Sequence, residues 1–332
     1  MNSILFKIAA KTDQGKVREN NEDNFLISQN LANNEWFCPQ NPDQPIELSD
    51  KGCLLAVADG MGGMNAGEEA SKIAIEVIRE LFEIDKFPED DELIESCMRE
   101  VVFEADRRIK EKAANDDSLE GMGTTIVFVW IHGGKAHLTW CGDSRAYIFH
   151  PDSGLKQLSK DHSYVQELVD EGVISQDAAF DHPDNNIITR SLGDTYKRAE
   201  SDYLEYTLHR NETILLCSDG LNGELRDCDI EGIIRNNDDS LKSCCDKLIN
   251  EALKAGGNDN VTVAICKIVE GLSDLDVSEH SDEAKEPEVS TFKTTKAYVS
   301  SNTSKRWKYI LLIAIALIGL LIGLCGILQI LA

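Results

Sequence analysis

Basic residues are scarce in this chain: Lys and Arg number 33 against 59 Asp and Glu, for a formal net charge of −26. Such a balance disfavours nucleic acid as a partner, because a phosphate backbone needs Lys and Arg to displace its counterions. Ten cysteines are present, but zinc-ligand spacing is lacking; Cys244 and Cys245 are adjacent, and others such as Cys217 lie in apolar runs. They read as reduced, core-filling thiols of a cytosolic domain. A secretory leader is missing too, since residues 1–10 have neither a long apolar core nor a cleavage site. At 332 residues the chain suits one large catalytic domain plus an appendage.

What the chain does have is five short acidic motifs, each at or just after a predicted strand: Asn21-Glu22-Asp23, Asp59-Gly60-Met61-Gly62-Gly63, Gly142-Asp143-Ser144-Arg145, Ser218-Asp219-Gly220 and Asn258-Asp259-Asn260. A carboxylate at a strand end beside Gly or Asn can leave the sheet and point at a common centre. Several together repel one another unless a cation sits between them. Oxygen ligands select Mg²⁺ or Mn²⁺, whereas zinc would want Cys and His. The pattern is that of a hydrolase whose chemistry belongs to bound metal ions. Taken alone, Asp219-Gly220 reads as a simple turn; the whole constellation is what favours ligation.

Residues 66–83 place Ala66, Ala70, Ile73, Ala74, Val77, Ile78, Leu81 and Phe82 on one helical stripe, and Ile94, Met98, Val101, Ala105 and Ile109 repeat it. Strand-like runs cover 54–58, 125–131, 136–140 and 146–149, with His132-Gly133-Gly134 and Asp143-Ser144 as turns between paired strands. Further helices are expected at 226–235 and 240–254, before a closing strand at 261–268. Strand pairs interrupted by one-sided helices indicate an α+β fold of antiparallel sheets covered by helices.

Composition changes after Ile268. Residues 270–308 are rich in Ser, Thr, Glu, Asp and Lys, read as a flexible polar linker, and end on Lys305, Arg306 and Lys308. Residues 310–331 carry no charge, and at ~1.5 Å per residue a helix there spans about 33 Å, enough for a hydrocarbon core of roughly 30 Å. Trp307 and Tyr309 suit the interface, and the basic residues precede the span, so a single-pass helix at 309–331 would anchor a cytoplasmic domain to the cell membrane. Gly319-x-x-x-Gly323 matches a helix-dimerisation motif, although glycine is common in membrane helices and chance is the favoured explanation.

The motifs Gly15-x-x-Arg18-x-x-Asn21-Glu22-Asp23, Asp59-Gly60-Met61-Gly62-Gly63, Gly123-Thr124-Thr125, Gly142-Asp143-Ser144-Arg145, Ser218-Asp219-Gly220-Leu221 and Gly257-Asn258-Asp259-Asn260-Val261-Thr262 arrive in an order and spacing that resembles the PP2C-type metal-dependent protein phosphatases, most closely their bacterial branch. The resemblance covers residues 3–268 and implies a four-layer α-β-β-α sandwich over 1–269. It implies two Mn²⁺ or Mg²⁺ ions, with Asp59 bridging them, the Gly60 carbonyl on one, Asp219 and Asp259 completing the shell, and Glu22 and Asp23 acting directly or through water. It places a third ion between Asp143 and Asp219, where a polar hairpin turn is the alternative. Arg18 takes the phosphate-clamp position, suited by a planar guanidinium fork, while Arg145 reads as structural, holding a carboxylate near the sheet end.

One departure stands out. Many eukaryotic relatives have His after the Asp-Gly of the second motif as proton donor, and this chain has Met61. His162 is a candidate substitute, though helix capping by Asp161 or Ser163 is the commoner role of such a tripeptide. Residues 163–196 resemble the flap of bacterial members, and 30–51 form a long loop without an assigned role. The expected function is hydrolysis of phosphoserine and phosphothreonine in cytoplasmic proteins by a metal-activated water, opposing a Ser/Thr kinase. A catalytically inactive phosphoprotein-binding or scaffold module at the membrane is the alternative.

Overall fold

Apolar runs without alternation need cover on both faces, and the central strands of this fold receive it. In β4 (Cys53–Met61), Leu54, Ala56 and Ala58 face the helices α1 (Ala66–Phe82) and α2 (Asp91–Asn115), where they meet Ala70, Ala74, Val77 and Met98. The intervening Cys53, Leu55 and Val57 face the opposite way, onto Ile8, Leu216 and Ala264 of a second sheet. That sheet turns Tyr147, Leu215, Val263 and Ile265 outward onto α6 (Asp227–Asn236) and α7 (Leu241–Ala255), through Ile230, Ile234, Leu248 and Ile249. The layers therefore run helix, sheet, sheet, helix, as the resemblance implied.

The computed structural model describes residues 3–36, 39–62, 66–83 and 91–274. Gly63, the polar segment from 275 with its basic end, and the apolar run 310–331 with Gly319 and Gly323 lie outside the described residues. Among the described residues no helix is long and apolar enough to cross a membrane.

One sheet has the order β3 (Ile46–Glu47), β1 (Leu5–Asp13), β12 (Val261–Glu270), β11 (Thr213–Cys217), β8 (Arg145–His150), β9 (Gly154–Gln157). The other runs β10 (Asp202–Thr207), β7 (Lys135–Cys141), β6 (Ile126–His132), β4, β2 (Asp23–Ser28), with short β5 (Gly123–Thr124) on the end of β4. The pairings are antiparallel throughout. The predicted helices at 226–235 and 240–254 appear one residue further on, the second starting after Ser240, whose Oγ accepts from Ser243 N at 3.2 Å as an N-cap.

Two features depart from expectation. Gly133-Gly134 does close a hairpin between β6 and β7, but Asp143-Ser144 does not, because β7 and β8 lie in different sheets. Gly142, at φ +117° with Thr125 Cβ only 2.6 Å from where its own Cβ would be, lets the chain cross between layers there. The closing strand outlasts the composition break: β12 runs to Glu270, and Ser273 O still accepts from Arg210 N at 2.9 Å. Backbone pairing needs no apolar side chain, so composition marks the edge too early. The loop at 30–51 covers the sheet edge by pairing β3 with β1, and Asp43 ties it to α7 by accepting from Ser240 Oγ at 2.8 Å. The described cysteines are free thiols, most of them buried, with Cys228 exposed.

Candidate metal centre

Register brings the acids together. Asp23 opens β2 directly opposite Asp59 near the end of β4. Asp219 opens the short helix α5 (Asp219–Asn222) immediately after β11, and Asp259 precedes β12, the neighbour of β11. Four stretches distant in sequence thus deliver carboxylates to one end of the sandwich.

Asp23 is buried, and its Oδ2 accepts from Ser218 Oγ and Thr262 Oγ1, each at 2.7 Å. Its Oδ1 is buried without a hydrogen-bond partner, as is Oδ1 of Asp219. Burial pushes the Asp23 carboxyl up to about 7; the two hydroxyls pull against that shift, while the charges of Asp219 and Asp259 add to it. Asp59 is raised well above the carboxylate range by burial, then by Asp219, Asp23 and Asp143. Asp219 is raised by burial and by Asp259.

The backbone beneath them is tightly held. Asp59 O accepts from Thr125 N at 2.9 Å and from Thr124 Oγ1 at 2.8 Å, and Asp59 N donates to Thr125 Oγ1 at 3.1 Å. A Cβ on Gly60 would lie 2.2 Å from Gly67 O and 2.6 Å from Glu22 O, so α1 and the Glu22 turn approach as only glycine permits. Asn260 is a three-way brace: its Oδ1 accepts from Glu22 N at 2.8 Å, and its Nδ2 donates to Gln14 O at 2.8 Å and Asn20 O at 2.9 Å. Burial raises the Glu22 carboxyl, Arg18 lowers it, and Asp259 and Glu68 raise it further.

Arg18 donates from Nη2 to Asp259 Oδ2 at 2.6 Å, at a half-exposed position on the rim. Burial works against its charge, and the bond to Asp259 with the charges of Asp219 and Asp59 outweighs that. Asp143 is buried, raised by burial and then by Asp219 and Asp161, with Arg145 opposing. Arg145 grips Asp161 with two nitrogens, Nε to Oδ1 at 2.9 Å and Nη2 to Oδ2 at 2.7 Å, which is the structural part expected of it. His162 is buried behind this turn: Nδ1 accepts from Gly142 N at 3.1 Å, and Nε2 faces Asp202 Oδ2 at 3.2 Å. It braces Gly142 rather than facing the cleft, and Ser163 caps α3 (Tyr164–Asp170), as the commoner role anticipated.

The donor set fits a hard divalent cation. It is all oxygen, burial and mutual repulsion raise the carboxyls of Asp59 and Asp219, and two buried carboxylate oxygens lack a hydrogen donor. Asp59, the Gly60 carbonyl, Asp219 and Asp259 are the residues that could hold such ions, with Asp23 and Asp143 close enough to raise the Asp59 carboxyl. Among the described residues no three such side chains close fully on one point; Asp259 turns to Arg18 and Asp59 to Asp219. Ser218, Thr262, Thr124 and Thr125 are functional supports that lie inside the motifs without showing a role in the sequence.

Beside the acids, a cavity of about 310 Å³ opens between α5, α6 and the segment carrying α3 and α4 (Gln176–Phe180), lined among others by Asp143, Asp219, Asn222, Gln166 and Phe180. Arg226 spans its mouth, stacked on Phe180 at 4.2 Å and bonded to Asp181 at 2.7 Å.

The family profile described as Protein phosphatase 2C matches residues 11–261. The serine/threonine phosphatase Stp of Listeria welshimeri is 34% identical over 255 residues, 77% of this chain and 93% of that protein. The solved serine/threonine phosphatase of S. agalactiae superposes with a TM-score of 0.68 at 31% identity, over 80% of this chain and 100% of that one. The catalytic domain of the serine/threonine protein phosphatase PstP, solved in complex with two manganese ions, superposes at 0.64 with 31% identity, over 80% and 100% of the two chains. The converging strand-end acids and the two-sheet fold agree with these matches, and the chain belongs to the protein phosphatase 2C family, in its bacterial branch.

Proposed function

We propose that the chain is a protein-serine/threonine phosphatase dependent on Mn²⁺ or Mg²⁺, tethered to the cytoplasmic face of the cell membrane by residues 309–331 and opposing a Ser/Thr kinase. The observation that carries the activity is the gathering of Asp23, Asp59, Asp219 and Asp259 at one end of the sandwich, where burial and mutual repulsion raise the first three, beside a half-exposed Arg18. Paired divalent ions held there would supply positive charge against the phosphoryl oxygens and lower the pKa of the attacking water. Arg18 contributes the phosphate clamp by exchanging Asp259 for two phosphoryl oxygens, a bidentate contact its planar fork favours. Asp23, held on one oxygen by two hydroxyls, keeps its other oxygen aimed at the same space. Met61 offers no proton and His162 is turned away, so the leaving group draws its proton from water.

The tether rests on the uncharged run 310–331 and on Lys305, Arg306 and Lys308 before it. The test is phosphate release from a phosphothreonine peptide, with and without Mn²⁺, beside a phosphotyrosine peptide. Metal-dependent turnover of the first and little of the second is expected; no turnover at saturating metal leaves only a binding module. Run in parallel, the full chain should float with lipid vesicles, whereas a chain ending at Asp274 should remain in solution and active. Arg18→Ala should raise KM for the peptide on the order of 10- to 100-fold, the worth of a charge-assisted contact, with a smaller loss in kcat. An unchanged KM would remove Arg18 from phosphate binding.

A further inference from the structure

The phosphatase reading uses the acids at the sheet ends, yet a buried carboxylate elsewhere is equally well positioned and has no part in it. Asp106, on α2, is only 2% exposed. Its Oδ1 accepts from Gly193 N at 2.9 Å, and its Oδ2 accepts from Ala199 N at 3.3 Å and Lys110 Nζ at 2.8 Å. Lys110 donates as well to Lys197 O at 2.6 Å. One turn back, the Phe103 ring lies under the Arg198 guanidinium at 3.9 Å, and Arg99 donates to Ser201 O. Arg99, Phe103, Asp106 and Lys110 follow a four-three-four spacing, so they form one stripe on one helix face. That stripe grips the segment from Gly193 to Ser201, the leg by which the flap returns to the body.

The grip leads directly to the metal-binding turn. Leu192, adjacent to Gly193, exchanges backbone hydrogen bonds with Thr124: Leu192 N donates to Thr124 O at 2.9 Å and Thr124 N to Leu192 O at 3.1 Å. Thr124 pairs with Gly60 and donates its hydroxyl to Asp59 O at 2.8 Å. Gly193 has little freedom to relax, since a Cβ there would lie 2.4 Å from Met122 O. The flap's other end is tied to its own return, Tyr164 N donating to Ile187 O and Thr189 N to His162 O, each at 2.8 Å, while its middle meets α6 through the exposed Asp181 and Phe180 contacts of Arg226. The return leg is held to α2 by buried side-chain bonds, whereas the flap's middle meets α6 through a surface ion pair, of the kind worth little.

We propose that Asp106 is a positioning residue that mounts the flap on α2 and so sets the walls of the cavity beside the acids, making it a determinant of how the residues flanking the phosphorylated side chain are received. This rests on the phosphatase reading of the same site. The cavity, at about 310 Å³, extends well past the acids. A small aryl phosphate meets Arg18 and the acids without needing the flap, whereas a peptide reaches between α4 and α6. In Asp106→Asn the new amide hydrogens face Ala199 N–H and the Lys110 ammonium, donor against donors, and the return leg loosens.

The full chain and its Asp106→Asn and Arg198→Ala variants are compared on p-nitrophenyl phosphate and on a phosphothreonine peptide, both with saturating Mn²⁺. Asp106→Asn is expected to lower kcat/KM for the peptide about tenfold and for the aryl phosphate by no more than about twofold. Without metal, hydrogen exchange at Gly193 and Ala199 should quicken by at least about tenfold. Arg198→Ala, which removes an exposed stacking contact and a charge near Glu100, should shift the same peptide-to-aryl ratio about threefold. Equal losses on both substrates, or a lowered melting temperature with an unchanged ratio, would reduce Asp106 to a packing role and overturn the proposal. If Asp106→Asn does not fold, an unchanged ratio in Arg198→Ala overturns it alone. Failure of the unmodified chain to hydrolyse the aryl phosphate would instead refute the phosphatase reading, leaving the exchange measurement to judge the mount.

Discussion

Asp219→Asn is expected to reduce turnover by more than about 10³-fold while making the chelated protein more stable. The loss follows from removing an anionic ligand from a site whose chemistry depends on concentrating positive charge at the phosphate. The gain follows from what this carboxylate does without cations. Its Oδ1 is buried and unpartnered, and burial with the charge of Asp259 raises its pKa, so ionising it costs stability. An amide removes that charge at nearly the same volume, worth about 1 kcal/mol, or roughly 2–4 °C for a domain of this size. The sign in pH follows by linkage: acids with raised folded pKa values bind more protons in the native than in the unfolded state, so stability falls as pH rises through the interval between the two. With Asp23 raised to about 7 from an unfolded value of about 4, the chelated wild type should weaken progressively over that span. Asp219→Asn should weaken less. Activity assays with Mn²⁺ and thermal melts in EDTA at pH 5 and pH 8 check both parts. Turnover above a tenth of wild type, or a melting temperature lowered in EDTA, would contradict the assignment.

Gly60→Ala should damage the centre nearly as severely, for a steric reason. The added methyl would meet Gly67 O at 2.2 Å and Glu22 O at 2.6 Å, both backbone atoms that cannot rotate away. Relief requires α1 or the Glu22 turn to shift, which moves the Gly60 carbonyl and Asp59 together. A loss of at least about 100-fold in kcat is expected, since displacements near 1 Å cost that much. Overpacking should cost a further 1–3 kcal/mol or so of stability. Gly232→Ala makes the internal control, because nothing lies within 4 Å of a Cβ there and the residue sits inside α6. It should stabilise by up to about 1 kcal/mol through helix propensity, with unchanged kinetics. A Gly60→Ala variant with wild-type kcat would mean that this turn does not position the metal ligands.

Much of the fold and of the site is legible in the amino-acid order alone. Unbroken apolar runs at 54–58 and 125–131, with helical stripes at 66–83 and 94–109, indicate sheets covered by helices because side-chain period follows directly from backbone geometry. The acidic motifs indicate oxygen ligands for the same local reason. Sequence misleads where a short segment has two local solutions. Asp143-Ser144 has hairpin composition, yet it crosses between sheets, because Gly142 turns back against Thr125 and β8 finds its partner in β11. The composition break after Ile268 ends the strand too early, since Glu270 pairs through its backbone regardless of its charge. Asp106, one more charge on a helix rich in Glu and Arg, carries no signal of its contact to Gly193.

Local chemistry, then, was determined by the amino-acid sequence: which residues can ligate, which faces must be covered, and which family's motifs the chain carries. Tertiary structure alone decided which oxygens meet, since Asp23 and Ser218 stand 195 positions apart and Arg18 and Asp259 stand 241 apart. Contacts at that range depend on strand register summed through both sheets, and a one-residue slip would turn each acid to the opposite face. No motif a few residues long contains that sum; the packed sandwich does.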